Sequence, residues 1–417
     1  MSLLSGFNFT PPEVSILGQA ANAAFIGGAV PSGWTVLSPQ QLGISQQYWA
    51  GNFFNNNGAS AIVLQQGSSW IVSFRGTDAA EDLARYPELA LGTYINNFQP
   101  LLNAVAANAP TGTSFYFTGA SLGGAATNEM ANIATSQFGG KFAAAKFVAF
   151  ASPIITNANG ILNIGFENDP VYKALNAYSD FPSSLDNLVL ATSEYMAGNY
   201  DGRHPENLYA HNLAAGLDAV GRVQSSIFFE QMSPDAVVIL DAFSGAVQDI
   251  TPGRENTGAF YVGQNIGDTL LGRNGPDFID GLGGDDVLNG GAGDDWLAGG
   301  AGADLLICGP GTDTVLFERT SLADAGSGIL DRILDFDPNV DRLDVSRIAA
   351  VGQPLASLFR VVQNPSESFA IFQVANSSGA GWTSLARLDG IHIGDTITVL
   401  SPGESSLLSV SLNRHIR

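Results

Sequence analysis

One cysteine, Cys308, is all that 417 residues contain, so no internal disulfide can staple the fold. Basic residues are scarce: 17 Lys and Arg stand against 39 Asp and Glu, a formal net charge of −22. A surface of that sign repels phosphate backbones, which excludes nucleic acid as the main partner and favours cations. No run approaches the roughly 18 uninterrupted apolar residues of a membrane-spanning helix, so no integral membrane segment is expected. Residues 1–30 carry no Lys or Arg, and Asn, Gln, Gly and Pro break up their apolar residues. The charged start and continuous apolar core of a cleaved export signal are therefore missing.

What is present begins with length, which is enough for two domains with separate cores. The run Phe115-Tyr116-Phe117-Thr118 ends abruptly in Gly119-Ala120-Ser121-Leu122-Gly123-Gly124. It reads as a buried strand breaking into a tight turn with Ser121 at the apex. Behind it, Leu122, Ala126, Met130, Ile133 and Ala134 recur at helical spacing until Gly139-Gly140. In a chain with 49 glycines the five-residue pattern alone is weak, and a flexible turn would also fit it. The strand before and the helix after make Ser121 a candidate nucleophile.

Around that elbow the pattern predicts a helix over 14–24 and a hairpin of 61–64 with 70–74, the second strand running into Arg75-Gly76-Thr77. Helical signal over 78–109 follows, with Asp78 as a possible cap, then buried strands at 146–150 and 162–166. Strands alternating with helices imply a mostly parallel sheet, whose chemistry gathers at the carboxyl ends of the strands. Thr77, Ser121 and Asp169 would all lie there. Near residue 245 the composition shifts, placing an α/β domain at 1–245 and an all-β domain at 246–417.

The second domain is built on a repeat. From Gly263 to Leu316 the chain falls into six nonapeptides whose sixth position is always Asp: Asp268, Asp277, Asp286, Asp295, Asp304 and Asp313. Two residues on comes an aliphatic side chain: Leu270, Ile279, Leu288, Leu297, Leu306 and Val315. This is the G-G-x-G-x-D-x-U-x pattern of calcium-binding parallel β-rolls. The aliphatics stack inward from short strands, and the glycine-rich turns offer carbonyl and carboxylate oxygens to a hard cation, Ca2+. A disordered acidic linker would explain the Gly and Asp content but not the recurring aliphatic. With two repeats per turn, Asp268, Asp286 and Asp304 should stack on one edge, and Asp277, Asp295 and Asp313 on the other. Residues 358–400 alternate apolar and polar side chains and are expected to cap the roll.

Taken together, these features resemble the calcium-dependent bacterial lipases with nonapeptide repeats that leave the cell through type I secretion. The resemblance rests on the elbow, the repeats, Ile71 to Thr77, Asn163 to Tyr172, Val247-Gln248-Asp249, and the segment 331–346 with its Asp331-Arg332-Ile333 and Asp341-Arg342-Leu343. It implies an α/β-hydrolase-type catalytic domain followed by a parallel β-roll, a lipid or small ester substrate, and an extracellular location reached through the type I machinery. It also implies a triad in the order Ser121, Asp169, His211, with the backbone N–H groups of Leu122 and Thr77 as the oxyanion hole. Asp169 falls on the family's acid position; Asp180 and Asp201 are rivals. Of the four histidines, His392 and His415 lie in or beyond the roll. His211, which precedes an apolar helix expected over 213–228 as the family's catalytic histidine does, competes with His204.

Three departures stand out. The residue before the serine is Ala120 where the family usually has histidine. The chain end, 412–417, is not the usual acidic-then-hydrophobic export signal. The segments that cover the family's active site are short here, which points toward an esterase or a phospholipase. The competing class is a non-enzymatic calcium-roll protein of a cell surface, whose first domain only binds.

Overall fold

The structure is a computed structural model. It describes residues 9–24, 28–76, 86–156, 158–166, 187–190, 221–223, 225–232, 237–239, 256–349, 354–376, 381–402 and 404–412. The chain divides into two compact units, residues 1–224 with 229–236, and residues 225–228 with 237–417.

The first unit is organised by a sheet whose central strand is the predicted aromatic run. Strands β1 (Ala59–Gln66) and β2 (Ser69–Phe74) form the expected antiparallel hairpin. From β2 onward every described pairing is parallel: β2 with β3 (Ser114–Ala120), β3 with β4 (Lys146–Phe150), β4 with β5 (Leu162–Phe166), and β5 with β6 (Asn187–Leu190). Parallel strands buried on both faces need continuous apolar runs, and β3 supplies Phe115 and Phe117, which pack with Phe74, Phe142 and Phe147.

Helix α1 (Pro11–Ala23) opens on a Thr10/Glu13 capping box, and Glu13 does more than cap. Its Oε1 accepts from Tyr116 Oη at 3.0 Å and lies 2.8 Å from Lys146 Nζ, fastening α1 to β3 and β4. Thr118 Oγ1 donates to the Leu17 carbonyl at 3.2 Å on the same face. Residues 94–120 go largely into core elements, the 3-10 turn Tyr94–Phe98, α2 (Gln99–Asn108) and β3, whereas the short helix Tyr86–Ala90 buries Leu89 and is followed by the exposed Leu91. Asp78 lies outside the described residues. Of the expected helix 213–228, residues 221–223 and 225 are helical and the chain turns at 227–228.

The second unit is a stack of short parallel strands in two ladders. One ladder runs β8 (Ala259–Val262), β10 (Phe278–Asp280), β12 (Trp296–Ala298), β14 (Thr314–Leu316), β16 (Arg342–Asp344). The other runs β9 (Thr269–Leu271), β11 (Val287–Asn289), β13 (Leu305–Ile307), β15 (Asp331–Ile333). Registers such as Leu270 with Leu288 and Leu288 with Leu306 place residues 18 apart side by side, which is two nonapeptides per turn. The six repeat aliphatics are all buried, joined by Ile333 and Leu343.

The cap comprises β17 (Phe359–Gln363), β18 (Phe369–Ala375), β19 (Trp382–Asp389), β20 (Thr396–Ser401) and β21 (Glu404–Leu412). Strand β19 pairs in parallel with β15 and β20 with β16, so the cap prolongs both ladders. Ahead of the roll, β7 (Val237–Ile239) is parallel to β8, so the second unit begins before residue 246. Fold class is as expected: an α/β unit followed by a parallel β-roll.

Candidate functional site

Ser121 stands where β3 gives way to α3 (Leu122–Ile133), with φ +54° and ψ −122°. A side chain other than glycine at positive φ is strained, and a strained serine on a strand-to-helix turn is the geometry that lifts a nucleophile out of the sheet. The flanking hydrogen bonds hold it there: Ser121 N–H donates to the Phe150 carbonyl at 2.9 Å, and Ala125 N–H donates to the Ser121 carbonyl at 3.0 Å. Its Oγ is buried with no hydrogen-bond partner among the described residues.

The glycines of the motif have a steric cause. A Cβ on Gly119 would lie 2.4 Å from the Gly123 carbonyl oxygen, and one on Gly123 would lie 2.1 Å from that of Phe74. Strand β2, strand β3 and the first turn of α3 therefore meet backbone to backbone, a closeness only glycine permits. Leu122 begins α3 and is buried. The N–H groups of a helix's first turn have no helical acceptor.

Behind the elbow, α3 is pinned by a polar network that sequence reasoning missed. Asn128 Nδ2 donates to Asn163 Oδ1 at 2.7 Å and to the Gly124 carbonyl at 3.0 Å, and its Oδ1 accepts from Thr156 N–H at 2.8 Å. Asn163 Nδ2 donates in turn to the Thr156 carbonyl at 3.1 Å. The sequence offers only Asn163 within an apolar strand and Asn128 between Thr127 and Glu129, which says nothing of their pairing. Glu129, also buried on α3, accepts from Ile95 N–H at 2.6 Å, and burial pushes its carboxyl up to about 7.

The remaining predicted catalytic groups, Thr77, Asp169 and His211, and the rivals His204, Asp180 and Asp201, lie outside the described residues. Strand β5 ends at Phe166, three positions before Asp169, at the carboxyl end of the sheet. Arg75 N–H donates to the Ser60 carbonyl at 2.8 Å, and its Nη2 reaches the Gly58 carbonyl at 3.5 Å, a bracing role for the β1–β2 corner.

In the roll, both predicted Asp edges are present. Asp268 N–H donates to Asp286 Oδ1 at 2.7 Å, and Asp286 N–H to Asp304 Oδ1 at 2.9 Å. On the other edge Asp277 N–H donates to Asp295 Oδ1 at 2.8 Å, and Asp295 N–H to Asp313 Oδ1 at 2.9 Å. Two further carboxylates extend the edges: Asp304 N–H donates to Asp331 Oδ1 at 3.2 Å and Asp313 N–H to Asp341 Oδ1 at 2.9 Å. Asp331 and Asp341 were not among the expected ligands. Their signal was the D-x-U of Asp331-Arg332-Ile333 and Asp341-Arg342-Leu343, displaced from the nine-residue period by the insertion of helix α4 (Arg319–Gly326).

Each interior carboxylate thus spends one oxygen on the scaffold. The other, Oδ2 of Asp286, Asp295, Asp304 and Asp313, is buried and has no hydrogen-bond partner among the described residues. Unpartnered buried oxygens in a row are costly without a counter-charge. Burial, reinforced by the neighbouring carboxylates, pushes Asp286 up to about 8 and Asp295 and Asp313 up to about 7. Oxygen-only donors around small backbone turns fit a hard divalent cation such as calcium.

Residues 262–297 and 280–315 match the family described as RTX calcium-binding nonapeptide repeat, in two overlapping blocks of four copies. The roll is built of RTX repeats. The chain is also similar to two lipases of Pseudomonas fluorescens. One is 30% identical over 54% of this chain and 56% of its own length. The other is 34% identical over 34% of this chain and 36% of its own. The chain thus spans about half, or less, of these relatives. Among solved structures it resembles the extracellular lipase LipA of Serratia marcescens, with a TM-score of 0.56 and 22% identity over 90% of this chain and 62% of that one. That likeness concerns the fold. No helix among the described residues is long and apolar enough to cross a membrane.

Proposed function

We propose that the protein is a secreted carboxylic ester hydrolase working through an acyl-enzyme on Ser121. The observation that carries this reading is the Ser121 elbow: positive φ, an unpartnered Oγ, and glycines that a Cβ would drive into neighbouring backbone. Similarity to bacterial lipases supports the substrate class, an acyl ester.

In this reading His211 takes the Ser121 proton as Oγ attacks the ester carbonyl, and Asp169 holds the imidazole in the right tautomer. The backbone N–H groups of Leu122 and Thr77 receive the developing oxyanion. His211 then returns the proton to the leaving alcohol, and water repeats the sequence to release the acid. The Asn128–Asn163 network holds α3 in register with β5, so the serine and the strand that leads toward Asp169 keep their spacing.

Calcium belongs to the roll in this scheme. Asp268, Asp277, Asp286, Asp295, Asp304 and Asp313, with Asp331 and Asp341 closing the edges, would hold it, and the ion supplies the charge that lets the edges stack. Affinity on the order of 10⁻⁴ to 10⁻³ M leaves such a module unfolded inside a cell and folds it outside, which suits export through a narrow secretion channel.

The test is covalent labelling by a serine-directed phosphonate. Labelling abolished by Ser121→Ala, together with a loss of roughly 10³-fold or more in kcat for Ser121→Ala and His211→Ala, is expected. Full labelling of Ser121→Ala would refute the assignment, and turnover lost in His204→Ala but kept in His211→Ala would move the base. Because residues 94–120 are largely committed to core elements, little chain is left before the serine for a large cover, so dissolved short or medium acyl esters or phospholipids are the expected substrates. A sharp rise in rate as a short-chain triglyceride passes its solubility limit would count against that preference.

A further inference from the structure

Five of the six repeats open on glycine, and the sixth opens on Cys308. In the glycine repeats the direction of a first-position side chain is fixed: a Cβ on Gly281 would lie 2.2 Å from Asp286 Oδ2, and one on Gly299 would lie 2.1 Å from Asp304 Oδ2. First-position side chains therefore aim at the carboxylate of their own repeat. Cys308 is the one place in the array where a side chain takes that path. Its Sγ and carboxylate oxygens of Asp313 and Asp341 all lie within 4.8 Å of one another, and all three residues are buried.

The hydrogen bonds around this cluster leave it one donor short. Asp313 Oδ1 accepts from Asp295 N–H, while Asp341 accepts from Asp313 N–H through Oδ1 and from Asp337 N–H through Oδ2, at 2.7 Å. Asp313 is 0% exposed, and its Oδ2 has no hydrogen-bond partner among the described residues. Cys308 N–H donates to Asp335 Oδ1 at 2.7 Å, which fixes the backbone from which the thiol projects. A fixed thiol and an unpartnered buried carboxylate oxygen thus face the same small space.

We propose that Cys308, Asp313 and Asp341 form a mixed sulfur–oxygen metal site that takes a thiophilic divalent cation of the zinc class. The positions below it on the edge present oxygen only and suit calcium; at this last position the thiol gives the Asp313–Asp341 end, otherwise one more calcium place, to the zinc-class ion instead. A thiolate is a soft ligand that calcium does not seek, whereas zinc accepts sulfur and carboxylate oxygen together, in a compact four-coordinate shell. Three side chains leave one place for water or a main-chain carbonyl. On binding, the S–H bond breaks, a metal–sulfur bond forms and the proton passes to solvent, with no change of oxidation state. Because the cluster is buried, the ion enters as the last coil closes, and it would lock the roll to the segment carrying Asp341. This inference does not depend on the ester-hydrolase reading.

The experiment uses the full chain in saturating calcium, titrated with cadmium as the spectroscopic stand-in for zinc. With a single cysteine in the chain, a sulfur-to-cadmium charge-transfer band reports Cys308 alone. Saturation at one cadmium per chain is expected, with displacement by zinc and none by millimolar calcium. Cys308→Gly, which restores the repeat pattern, should abolish the band while keeping the calcium-induced circular dichroism. Asp341→Asn should weaken cadmium binding at least tenfold. Cadmium NMR of the unsubstituted protein reads the donor set even if a variant fails to fold, and one sulfur among oxygens is expected. Absence of the band in the calcium-loaded protein, displacement by calcium, binding unchanged by Asp341→Asn, or an oxygen-only resonance would each overturn the proposal.

Discussion

Asp286→Asn separates the two tasks that the roll assigns to one carboxylate. Asparagine keeps an oxygen where Asp286 Oδ1 accepts the Asp268 N–H, so the scaffold bond survives. What disappears is the charge. Parallel strands stack about 4.8 Å apart, and two carboxylates at that spacing repel by about 3 kcal/mol at an effective dielectric near 20. Asp286 has such a neighbour on each side, Asp268 and Asp304. Without calcium the substitution should therefore stabilise the roll by a few kcal/mol, less whatever protonation has already relieved. With calcium the sign reverses. The sites on both sides of Asp286 each lose a carboxylate, and the calcium midpoint for folding should rise about tenfold or more.

Two titrations followed by far-ultraviolet circular dichroism show the crossing. Against calcium, Asp286→Asn should need more ion than the parent chain. In chelator, where an osmolyte such as trimethylamine N-oxide drives burial, it should need less osmolyte. Asp268→Asn, at the end of its edge, should show the same signs with smaller shifts. If Asp286→Asn is the weaker folder in both titrations, carboxylate repulsion is not what holds the calcium-free roll open, and the reasoning fails.

Further outcomes follow from the first unit. Gly123→Ala should destabilise it by about 1–3 kcal/mol or more, because the new Cβ would sit 2.1 Å from the Phe74 carbonyl oxygen; Gly326→Ala in α4 of the second unit, where a Cβ meets nothing within 4 Å, is the clash-free counterpart, unchanged or up to about 1 kcal/mol more stable in a urea melt. Glu129→Gln should remove a pH slope. Burial raises the Glu129 carboxyl to about 7, so the folded state keeps a proton that the unfolded chain releases near 4.5. The associated stability is full below pH 4.5 and lost as pH rises to about 7, a change on the order of 3 kcal/mol. Melts at pH 5 and pH 8 should differ less for Glu129→Gln than for the parent, and equal differences would sink the idea.

The sequence made the central strand, the elbow and the roll legible because each rests on a local rule that leaves a repeating or punctuated trace. Phe115 to Thr118 is too apolar for anything but a buried strand, and the glycines at 119 and 123 mark close backbone approach. In the repeats, the aliphatic two places after each Asp fixes the inward face, so stacking at 18 residues follows by counting. The Asn128–Asn163 bond left no such trace. It joins residues 35 apart in sequence on α3 and β5, and only the packed sheet brings them within 2.7 Å. Glu13 reads from sequence as a helix cap; that it also anchors Tyr116 and Lys146 depends on where α1 lies on the sheet.

The ends of the roll explain why the edge residues Asp331 and Asp341 escaped a reading based on period. Every interior Asp donates its N–H to the carboxylate one coil further on, so the last Asp on each edge needs an acceptor that no seventh or eighth repeat provides. Were Asp304 and Asp313 left without one, two buried N–H groups would go unpaired, at a cost of about 1–3 kcal/mol each. The chain meets this demand with a carboxylate brought back at 27 residues on one edge and 28 on the other. Those longer spacings accommodate α4 before β15 and β16 rejoin the ladders. The physical requirement is an acceptor at a fixed place in space, not at a fixed place in the sequence. Beyond them β19 and β20 continue the pairing into a sheet with its own antiparallel partners, β18 and β21. The open ladder is thereby covered, as the terminal units of stacked-repeat proteins must be.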